Sequence, residues 1–200
     1  MKPKNNIFSV FDKIANRQDK ETLLKQRSTS VWLMGLSGAG KTTIGIELEK
    51  LLISEGFLTQ ILDGDNIRSG INKNLKFTEA DREENIRRIA EVNKLFLNCG
   101  VITINCFINP TEESRNFVSQ ILNPDDIFQV YINTPIEVCE ARDTKGLYAK
   151  ARRGEIKNFT GISSPFEPPK SPDFVVNTTE QSPKDAAKQI LETLRSKLKK

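Results

Sequence analysis

The sequence predicts an α/β fold in which a mostly parallel β-sheet is covered by helices on both faces. Short continuous apolar runs, such as SVWLMGL (30–36) and VITINCFI (101–108), alternate with longer segments whose apolar residues recur at helical spacing. Apolar runs without polar alternation are typical of strands buried on both sides, as in parallel sheets. At 200 residues, the chain has the length of a single domain.

The elements follow from local signals. Thr78 with Asp81 three residues later forms a capping-box pattern at a helix start, and Gly56 and Gly100 follow predicted helix ends. Pro183 is typical of a first helical position. The predicted strands are 30–36, 58–62, 101–108, 127–133 and 173–177. The predicted helices are a short one near Ile7–Ile14, then Lys41–Glu55, Thr78 to about Gly100, Thr111–Leu122, Pro135–Arg142 and a C-terminal helix from about Ser182.

Two segments depart from this alternation. Residues 1–28 are polar and broken in pattern, and we assign them to an N-terminal extension that precedes a domain of residues 29–200. Residues 143–172, DTKGLYAKARRGEIKNFTGISSPFEPPKSP, form a long stretch without clear structure, and we call this stretch the lid. Long irregular loops are often active-site lids, with a disordered surface insertion as the alternative. Aromatic residues among Lys and Arg favour contact with a ligand.

The composition excludes several classes of function. The chain has no histidine, so a histidine general base, a Ser-His triad and a histidine-ligated zinc site are excluded. No apolar stretch approaches about 18 residues, and the N-terminus lacks the apolar core of a secretory signal, so we expect a cytoplasmic protein without a membrane partner.

Cysteine usage and charge agree with that expectation. Cys99, Cys106 and Cys139 lack CxxC spacing, which predicts buried, reduced thiols. The net charge of +4 is mild, and basic residues gather in the C-terminal RSKLKK, where they suit a helix end. We therefore expect no nucleic-acid partner.

The stretch GLSGAGKTT (35–43) contains G-x-x-x-x-G-K-[ST], follows a predicted strand and opens a predicted helix. This is the context of a phosphate-binding loop, or P-loop, whose backbone N–H groups hold the phosphates of ATP or GTP. Lys41 is expected to reach the β- and γ-phosphates and Thr42 to hold Mg²⁺. The predicted nucleotide-binding residues of the loop are Gly35, Leu36, Ser37, Gly38, Ala39, Gly40, Lys41, Thr42 and Thr43.

A P-loop does not reveal what happens to the nucleotide. Hydrolysis could drive a switch or motor, or the γ-phosphate could pass to a small acceptor. The chain is short for a motor and shows no guanine-reading [NT]KxD pattern. A small-molecule kinase fits better, because it needs a lid that excludes water.

Candidate acceptor groups lie after the second strand. Asp63 and Asp65, in DGDN, could hold Mg²⁺ or take the proton of the acceptor, although a surface turn would use the same residues. Arg68, Arg82 and Asn85 could bind an anionic ligand. A solvated helix face explains them equally well, since acidic and basic residues surround them.

The stretches GLSGAGKTT, LDGDNIRSGINKNLKFTEADREENIRRIAEV, KGLYAKAR and GEIKNFTGI together resemble the adenylylsulfate kinase family, over Val31–Pro172. The resemblance implies a P-loop kinase fold with a lid. It also implies transfer of the γ-phosphate of ATP to the 3′-hydroxyl of adenosine 5′-phosphosulfate, which gives 3′-phosphoadenosine 5′-phosphosulfate and ADP in sulfate activation. A Mg²⁺-dependent homodimer is implied as well.

The same resemblance implies roles for individual residues. Asp65 corresponds to the catalytic acid, supported by Lys41 and Asp63, and Arg142 lies where the family contacts the ATP base. Phe77 and Phe159 correspond to aromatic residues that stack on the acceptor adenine, which suits base stacking. Implied metal ligands are Thr42, Asp63 and Asp65. The implied acceptor-binding residues are Asp65, Asn66, Arg68, Phe77, Arg82, Asn85, Ile108, Asn109, Lys145, Asn158 and Phe159.

One position departs from the family pattern. Many relatives read FISP where this chain reads FINP (107–110), and that serine has been proposed to carry a phosphoenzyme. Asn109 cannot form a phosphoserine, so we expect direct in-line transfer. Two alternatives stay open, namely a non-catalytic nucleotide-binding protein and a kinase that acts on another small acceptor.

Overall fold

The computed structural model describes Phe8, Val10 and residues 13–198, and its centre is a parallel five-stranded sheet. The strand order is β2-β3-β1-β4-β5, and every neighbouring pair is parallel. All five carboxyl ends therefore share one edge, which we call the rim. The strands are β1 (Ser30–Met34), β2 (Thr59–Asp63), β3 (Ile102–Cys106), β4 (Ile127–Asn133) and β5 (Phe174–Asn177).

Helices cover both faces of the sheet, which confirms the predicted fold class. In β1, Val31 and Leu33 point into a core shared with α2 and α8, whereas Trp32 and Met34 point into a core shared with α4 and α5. This alternation follows from the two-residue period of a strand. The helices are α1 (Arg17–Leu24), α2 (Lys41–Ser54), α3 (Gly64–Ser69), α4 (Glu79–Asn98), α5 (Glu112–Ile121), α6 (Ile136–Arg142), α7 (Leu147–Arg152) and α8 (Pro183–Leu198).

The longer predicted helices are present close to their predicted bounds. The start of α4 shows why: the hydroxyl of Thr78 accepts a hydrogen bond from the backbone N–H of Asp81, as the sequence pattern predicts. The carboxylate of Asp81 accepts from the hydroxyl of Thr78. Local capping chemistry therefore fixes the entry of the chain into this helix.

Among the described residues, three short α-helices were not predicted. α1, α3 and α7 have 8, 6 and 6 residues, which is too short for apolar periodicity to show. α1 begins at a capping box between Asn16 and Asp19, within the segment assigned to the N-terminal extension. The presence of α7 corrects the view of the lid as a stretch without structure. Of the helix predicted near Ile7–Ile14, only Phe8, Val10, Lys13 and Ile14 are described, and none of these four lies in a helix. The other positions lie outside the described residues.

α1 joins the main fold through charge pairing. The guanidinium of Arg17 donates to both carboxylate oxygens of Asp126, at 2.6 and 2.8 Å, and the amide of Gln26 donates to the carbonyl of Gly100 at 2.7 Å. The division of the chain at residue 28 stays a prediction. Within the described residues, no helix is both long enough and apolar enough to cross a bilayer.

The three cysteines are free. Cys106 and Cys139 are buried as predicted, and burial raises the pKa of Cys106 to about 12, so its thiol stays protonated. Cys99 is exposed, which corrects the expectation that all three are buried. It caps the end of α4, where the chain turns at the surface.

Candidate active site

The P-loop and the DGDN segment meet at the rim. The P-loop follows β1 and opens α2, and DGDN ends β2 and opens α3. The hydroxyl of Thr42 donates to the carboxylate of Asp63 at 2.8 Å, which joins the two segments directly. Loops that follow different parallel strands therefore meet at this edge of the sheet.

Two glycines shape the P-loop. Gly38 has φ +73°, and a Cβ there would lie 3.1 Å from the carbonyl oxygen of Cys139 in α6. Gly40 has φ +105° and precedes α2. Side chains are unfavourable in this region of backbone space, so glycine permits the curl of the loop. Since Gly40 brings no capping side chain, the first N–H groups of α2 stay open to an anion.

Lys41 lies beneath this curl. Its ammonium donates to the carbonyl oxygens of Gly35 at 3.0 Å and Leu36 at 2.7 Å, and the residue is only 9% exposed. Burial lowers the pKa of Lys41 to about 8, because desolvation disfavours the ammonium form. The carbonyl oxygens of the P-loop are neutral acceptors. A bound polyphosphate would give the buried ammonium of Lys41 an anionic partner.

The two carboxylates of DGDN have different surroundings. Asp63 caps α3 by accepting from the backbone N–H of Asp65 at 3.0 Å, besides its bond with Thr42. Asp65 is exposed at the first turn of α3 and forms an ion pair with Lys145 of the lid. Asn66 is exposed beside it. One carboxylate is thus held at the P-loop and the other faces the lid.

Two arginines form a basic patch near these carboxylates. The guanidinium of Arg68 lies 4.5 Å from the ring centroid of Phe77 and donates to the carbonyl of Lys76 at 2.9 Å. Burial, and then the neighbouring cation of Arg82, lower the pKa of Arg68. Two guanidinium groups that repel each other in this way favour an anionic ligand between them.

Arg82 also connects α4 to the lid. Its guanidinium donates to the carbonyl of Phe77 at 3.1 Å, to the hydroxyl of Thr160 at 3.1 Å and to the carbonyl of Asn158. Asn158 has φ +56°, a conformation that asparagine tolerates better than most residues. A guanidinium has five donors, so Arg82 retains capacity for a ligand.

The sequence-predicted asparagines Asn85 and Asn109 are buried, at 6% and 3% exposure. Asn85 accepts from the side-chain amide of Asn72 at 3.0 Å and so supports the segment before α4. Asn109 accepts from the hydroxyl of Ser114 at 2.7 Å. Both asparagines thus support the walls of the site, whereas Ile108 is partly exposed at the rim.

The two aromatic residues assigned to base stacking differ in burial. Phe77 is 62% exposed, and Phe159 is 9% exposed. The ring of Phe159 packs edge-on against Tyr148, with centroids 5.0 Å apart at 76°. Because Arg82 donates to the carbonyl of Phe77 and to that of Asn158, next to Phe159, it brings both segments to the same side of the rim.

Arg142 lies at the other side of the P-loop. Its guanidinium donates to the carbonyl oxygens of Gly38 and Ala39, both at 3.4 Å, and to the carbonyl of Thr178 at 3.2 Å. Thr178 directly follows β5, so the fifth strand also contributes to the rim. Thr43 is exposed on the first turn of α2.

Sequence reasoning missed two residues at this site. Thr178 could have been found, because it follows the carboxyl end of a predicted strand. Tyr148, whose hydroxyl donates to the carbonyl of Ser37 at 2.9 Å, gave no signal beyond an aromatic residue in a basic segment. The chain path that brings α7 to the P-loop is not visible in a local pattern.

The donor set suits Mg²⁺ better than a softer metal. Among the described residues, no group of three or more His, Cys, Asp or Glu side chains could hold a metal ion alone. The hydroxyl of Thr42 and the carboxylate of Asp63 nevertheless lie together beside the P-loop. Mg²⁺ is usually held by one or two carboxylates together with phosphate oxygens and water, so these residues fit it.

An open cavity of about 530 Å³ adjoins the rim on the lid side. It lies between the start of the P-loop and the second half of the lid. Among the described residues, its lining comprises Leu36, Ile136, Gly161, Ile162, Ser163, Ser164, Pro165 and Phe166.

The chain is similar to a family of known sequence and to named proteins of that family. Residues 27–177 match the family model described as adenylylsulphate kinase. Proteins named adenylyl-sulfate kinase from Bacteroides fragilis and Bacteroides thetaiotaomicron are 55% and 54% identical. The first alignment covers 96% of this chain and 95% of the relative, and the second covers 100% of both.

A solved structure is also similar. The APS kinase CysC of Mycobacterium tuberculosis, in complex with AMPPNP and APS, superposes with a TM-score of 0.81 at 41% sequence identity. The match covers 84% of this chain and 98% of that one.

Proposed function

This chain belongs to the adenylylsulphate kinase family, and we propose that its rim carries the family's reaction with the residues described above. The reaction transfers the γ-phosphate of ATP to the 3′-hydroxyl of adenosine 5′-phosphosulfate and gives 3′-phosphoadenosine 5′-phosphosulfate and ADP. The observation that carries the assignment is the meeting of the P-loop, the two carboxylates and the paired arginines at one edge of the sheet.

The nucleotide binds at the P-loop. Backbone N–H groups of the loop and of the first turn of α2 hold the phosphates, and Lys41 exchanges its contacts with Gly35 and Leu36 for phosphate oxygens. The guanidinium of Arg142 donates both to the P-loop and to Thr178, so it lies where it can border the base.

Thr42, Asp63 and Asp65 would hold Mg²⁺. When bound, the ion supplies positive charge that offsets the charge of the transferring phosphoryl group. Thr42 and Asp63 are already oriented toward each other at 2.8 Å, so this part of the site needs little rearrangement.

The acceptor lies between the DGDN segment and the lid. Arg68 and Arg82 bind its anionic phosphosulfate group, and the rings of Phe77 and Phe159 contact the adenine. Ile108 and Asn66 border the acceptor, and Asn85, Asn109 and Asn158 support its walls through the contacts described above.

Asp65 orients the 3′-hydroxyl and accepts its proton as the new bond to phosphorus forms. Its ion pair with Lys145 gives it an exposed cationic partner, which can move to an anionic group of the acceptor. Transfer is direct and in line, because the side chain of Asn109 has no hydroxyl and is bound to Ser114.

The chain acts as a cytoplasmic homodimer. Its free cysteines suit a reducing compartment, and the family resemblance supports the dimer. Sedimentation equilibrium of the purified chain tests the dimer, and a monomer or a larger ring would contradict it. Cell fractionation tests the compartment.

A coupled ADP-release assay tests the reaction. Adenosine 5′-phosphosulfate, adenosine 5′-monophosphate, adenosine and gluconate are offered at equal concentration with ATP and Mg²⁺, and Lys41→Ala serves as the inactive control. We expect rapid ADP release with adenosine 5′-phosphosulfate alone. Equal or faster release with gluconate would favour another acceptor class, and no release with any acceptor would favour a non-catalytic nucleotide-binding role.

A further inference from the structure

Tyr148 contacts both the P-loop and the acceptor side of the site, although the reaction described above gives it no role. It is 1% exposed, and its hydroxyl donates to the P-loop carbonyl of Ser37 at 2.9 Å. Its ring packs edge-on against Phe159, 5.0 Å away. Burial raises the pKa of Tyr148, so the hydroxyl remains a donor at working pH.

The contact with Ser37 fixes a whole peptide group. The carbonyl of Ser37 and the N–H of Gly38 belong to one planar trans peptide, so they point in opposite directions. Gly38, at φ +73°, has no Cβ to resist rotation of this peptide. The hydroxyl of Tyr148 therefore determines where the N–H of Gly38 points, and the N–H groups of this loop are the ones that hold phosphate.

A second contact joins the lid to the same loop. A Cβ on Gly161 would lie 2.9 Å from Cδ2 of Leu36, so the lid backbone packs directly on the residue before Ser37. Leu36, Tyr148 and Phe159 belong to one buried cluster. Because packed side chains cannot move independently, displacement of Phe159 also displaces the P-loop residues of this cluster.

We propose that Tyr148 is a positioning residue that couples the two substrates: its hydroxyl sets the Ser37–Gly38 peptide for the nucleotide, and its ring sets Phe159 for the acceptor adenine. This inference rests on the proposed function, since it needs an acceptor at Phe159. Nucleotide in the P-loop holds the peptide, hence Tyr148 and Phe159, in the arrangement that binds the acceptor. Coupling of this kind is reciprocal, so the acceptor tightens nucleotide binding by the same factor.

The test is a binding cycle by calorimetry. The affinity for adenosine 5′-phosphosulfate is measured with and without saturating AMPPNP, an unreactive nucleotide, in the wild-type chain and in Tyr148→Phe. The substitution keeps the ring against Phe159 and removes the hydroxyl. We expect AMPPNP to tighten acceptor binding in the wild type, and this factor to fall by about two- to tenfold in Tyr148→Phe, the effect of one hydrogen bond.

Tyr131→Phe is the matched control. Tyr131 stacks on Phe166, at 6.0 Å and 23°, and has no part in the proposed machinery. It should leave the coupling factor unchanged. A merely structural role for Tyr148 would lower the melting temperature without changing the coupling factor, so both are recorded.

Several results would overturn the proposal. Equal coupling in the wild type and Tyr148→Phe would do so, and so would a wild type without coupling. A wild type that binds AMPPNP but no adenosine 5′-phosphosulfate would overturn the proposed function, and the coupling with it. If Tyr148→Phe does not fold, NMR of the wild type tests the coupling instead. The amide resonance of Gly38 should shift when the acceptor is added without nucleotide. An unchanged resonance would refute the coupling.

Discussion

The hydroxyl of Thr42 donates a 2.8 Å hydrogen bond to the carboxylate of Asp63 and so joins the first turn of α2 to the end of β2. The two residues are 21 positions apart in the chain. Asp63 also accepts from the backbone N–H of Asp65 at 3.0 Å, so one carboxylate links the P-loop helix to the segment that carries the proposed base.

Asp63→Asn should weaken the response to Mg²⁺. Asparagine can still cap α3, so the fold is retained, but the negative charge beside Thr42 is lost. We expect the Mg²⁺ concentration for half-maximal turnover to rise by about 10- to 100-fold, the range for residues that support a metal site. Asp185→Asn, at the start of α8, is the control and should behave as wild type. An unchanged Mg²⁺ dependence of Asp63→Asn would remove Asp63 from the metal site.

Nucleotide affinity should fall at alkaline pH. Burial lowers the pKa of Lys41 to about 8, and only its ammonium form attracts polyphosphate. Affinity for ATP, measured by calorimetry without Mg²⁺, should be nearly constant below about pH 7, about twofold weaker at pH 8 and about tenfold weaker at pH 9 than at pH 7. Lys41→Ala should show no such pH dependence. Its turnover should be at least about 10²-fold lower than that of the wild type. If wild-type affinity is flat up to pH 9, Lys41 does not titrate as described.

Asp65→Asn should lose turnover while retaining nucleotide binding. The substitution preserves the shape of the side chain but removes the group that accepts the proton of the 3′-hydroxyl. Loss of a general base costs about 10²- to 10⁴-fold in rate. Turnover at saturating substrates is compared with ATP affinity measured without Mg²⁺, which should stay close to wild type. A rate within about threefold of wild type, well short of the general-base range, would make Asp65 a turn residue.

Phe77→Ala and Phe159→Ala should both weaken acceptor binding, but they should differ in their effect on the stability of the fold. Both remove a ring that contacts the acceptor adenine, a loss of about 1–3 kcal/mol in acceptor affinity. Phe77 is 62% exposed, so its removal should hardly change the melting temperature. Phe159 is 9% exposed and packs on Tyr148, so its removal should destabilise the fold by about 3–5 kcal/mol. Unchanged acceptor affinity together with lost ATP affinity would show that the two sites are assigned the wrong way round.

No covalent phosphoenzyme should form. The side chain of Asn109 is 3% exposed and accepts from Ser114, so the position has neither a hydroxyl nor an open approach. After incubation with labelled ATP and no acceptor, the protein should carry no acid-stable label. A stoichiometric label on Ser114 or on another serine would contradict direct transfer.

The sequence by itself determined the order of the strands and of the longer helices, the P-loop and the edge of the sheet at which the site lies. These features depend on patterns local in the chain, such as the glycines and Lys41 of GLSGAGKTT or the capping of α4 by Thr78. Parallel strands then place their carboxyl ends at one edge, which brings Asp63 to the P-loop. The short helices α1, α3 and α7 could not be predicted, because six to eight residues carry too little periodicity.

Tertiary structure alone decided how the charged and aromatic groups pair. Lys145 meets Asp65 across 80 positions, and Tyr148 meets Ser37 across 111. It also decided that Phe159 is buried while Phe77 is exposed, and that Asn109 turns toward Ser114. Motifs report the chemistry that a residue can perform, but such contacts depend on the path by which the lid returns over the P-loop. That path is set by packing of Gly161 against Leu36 and of Phe159 against Tyr148, which no local pattern contains.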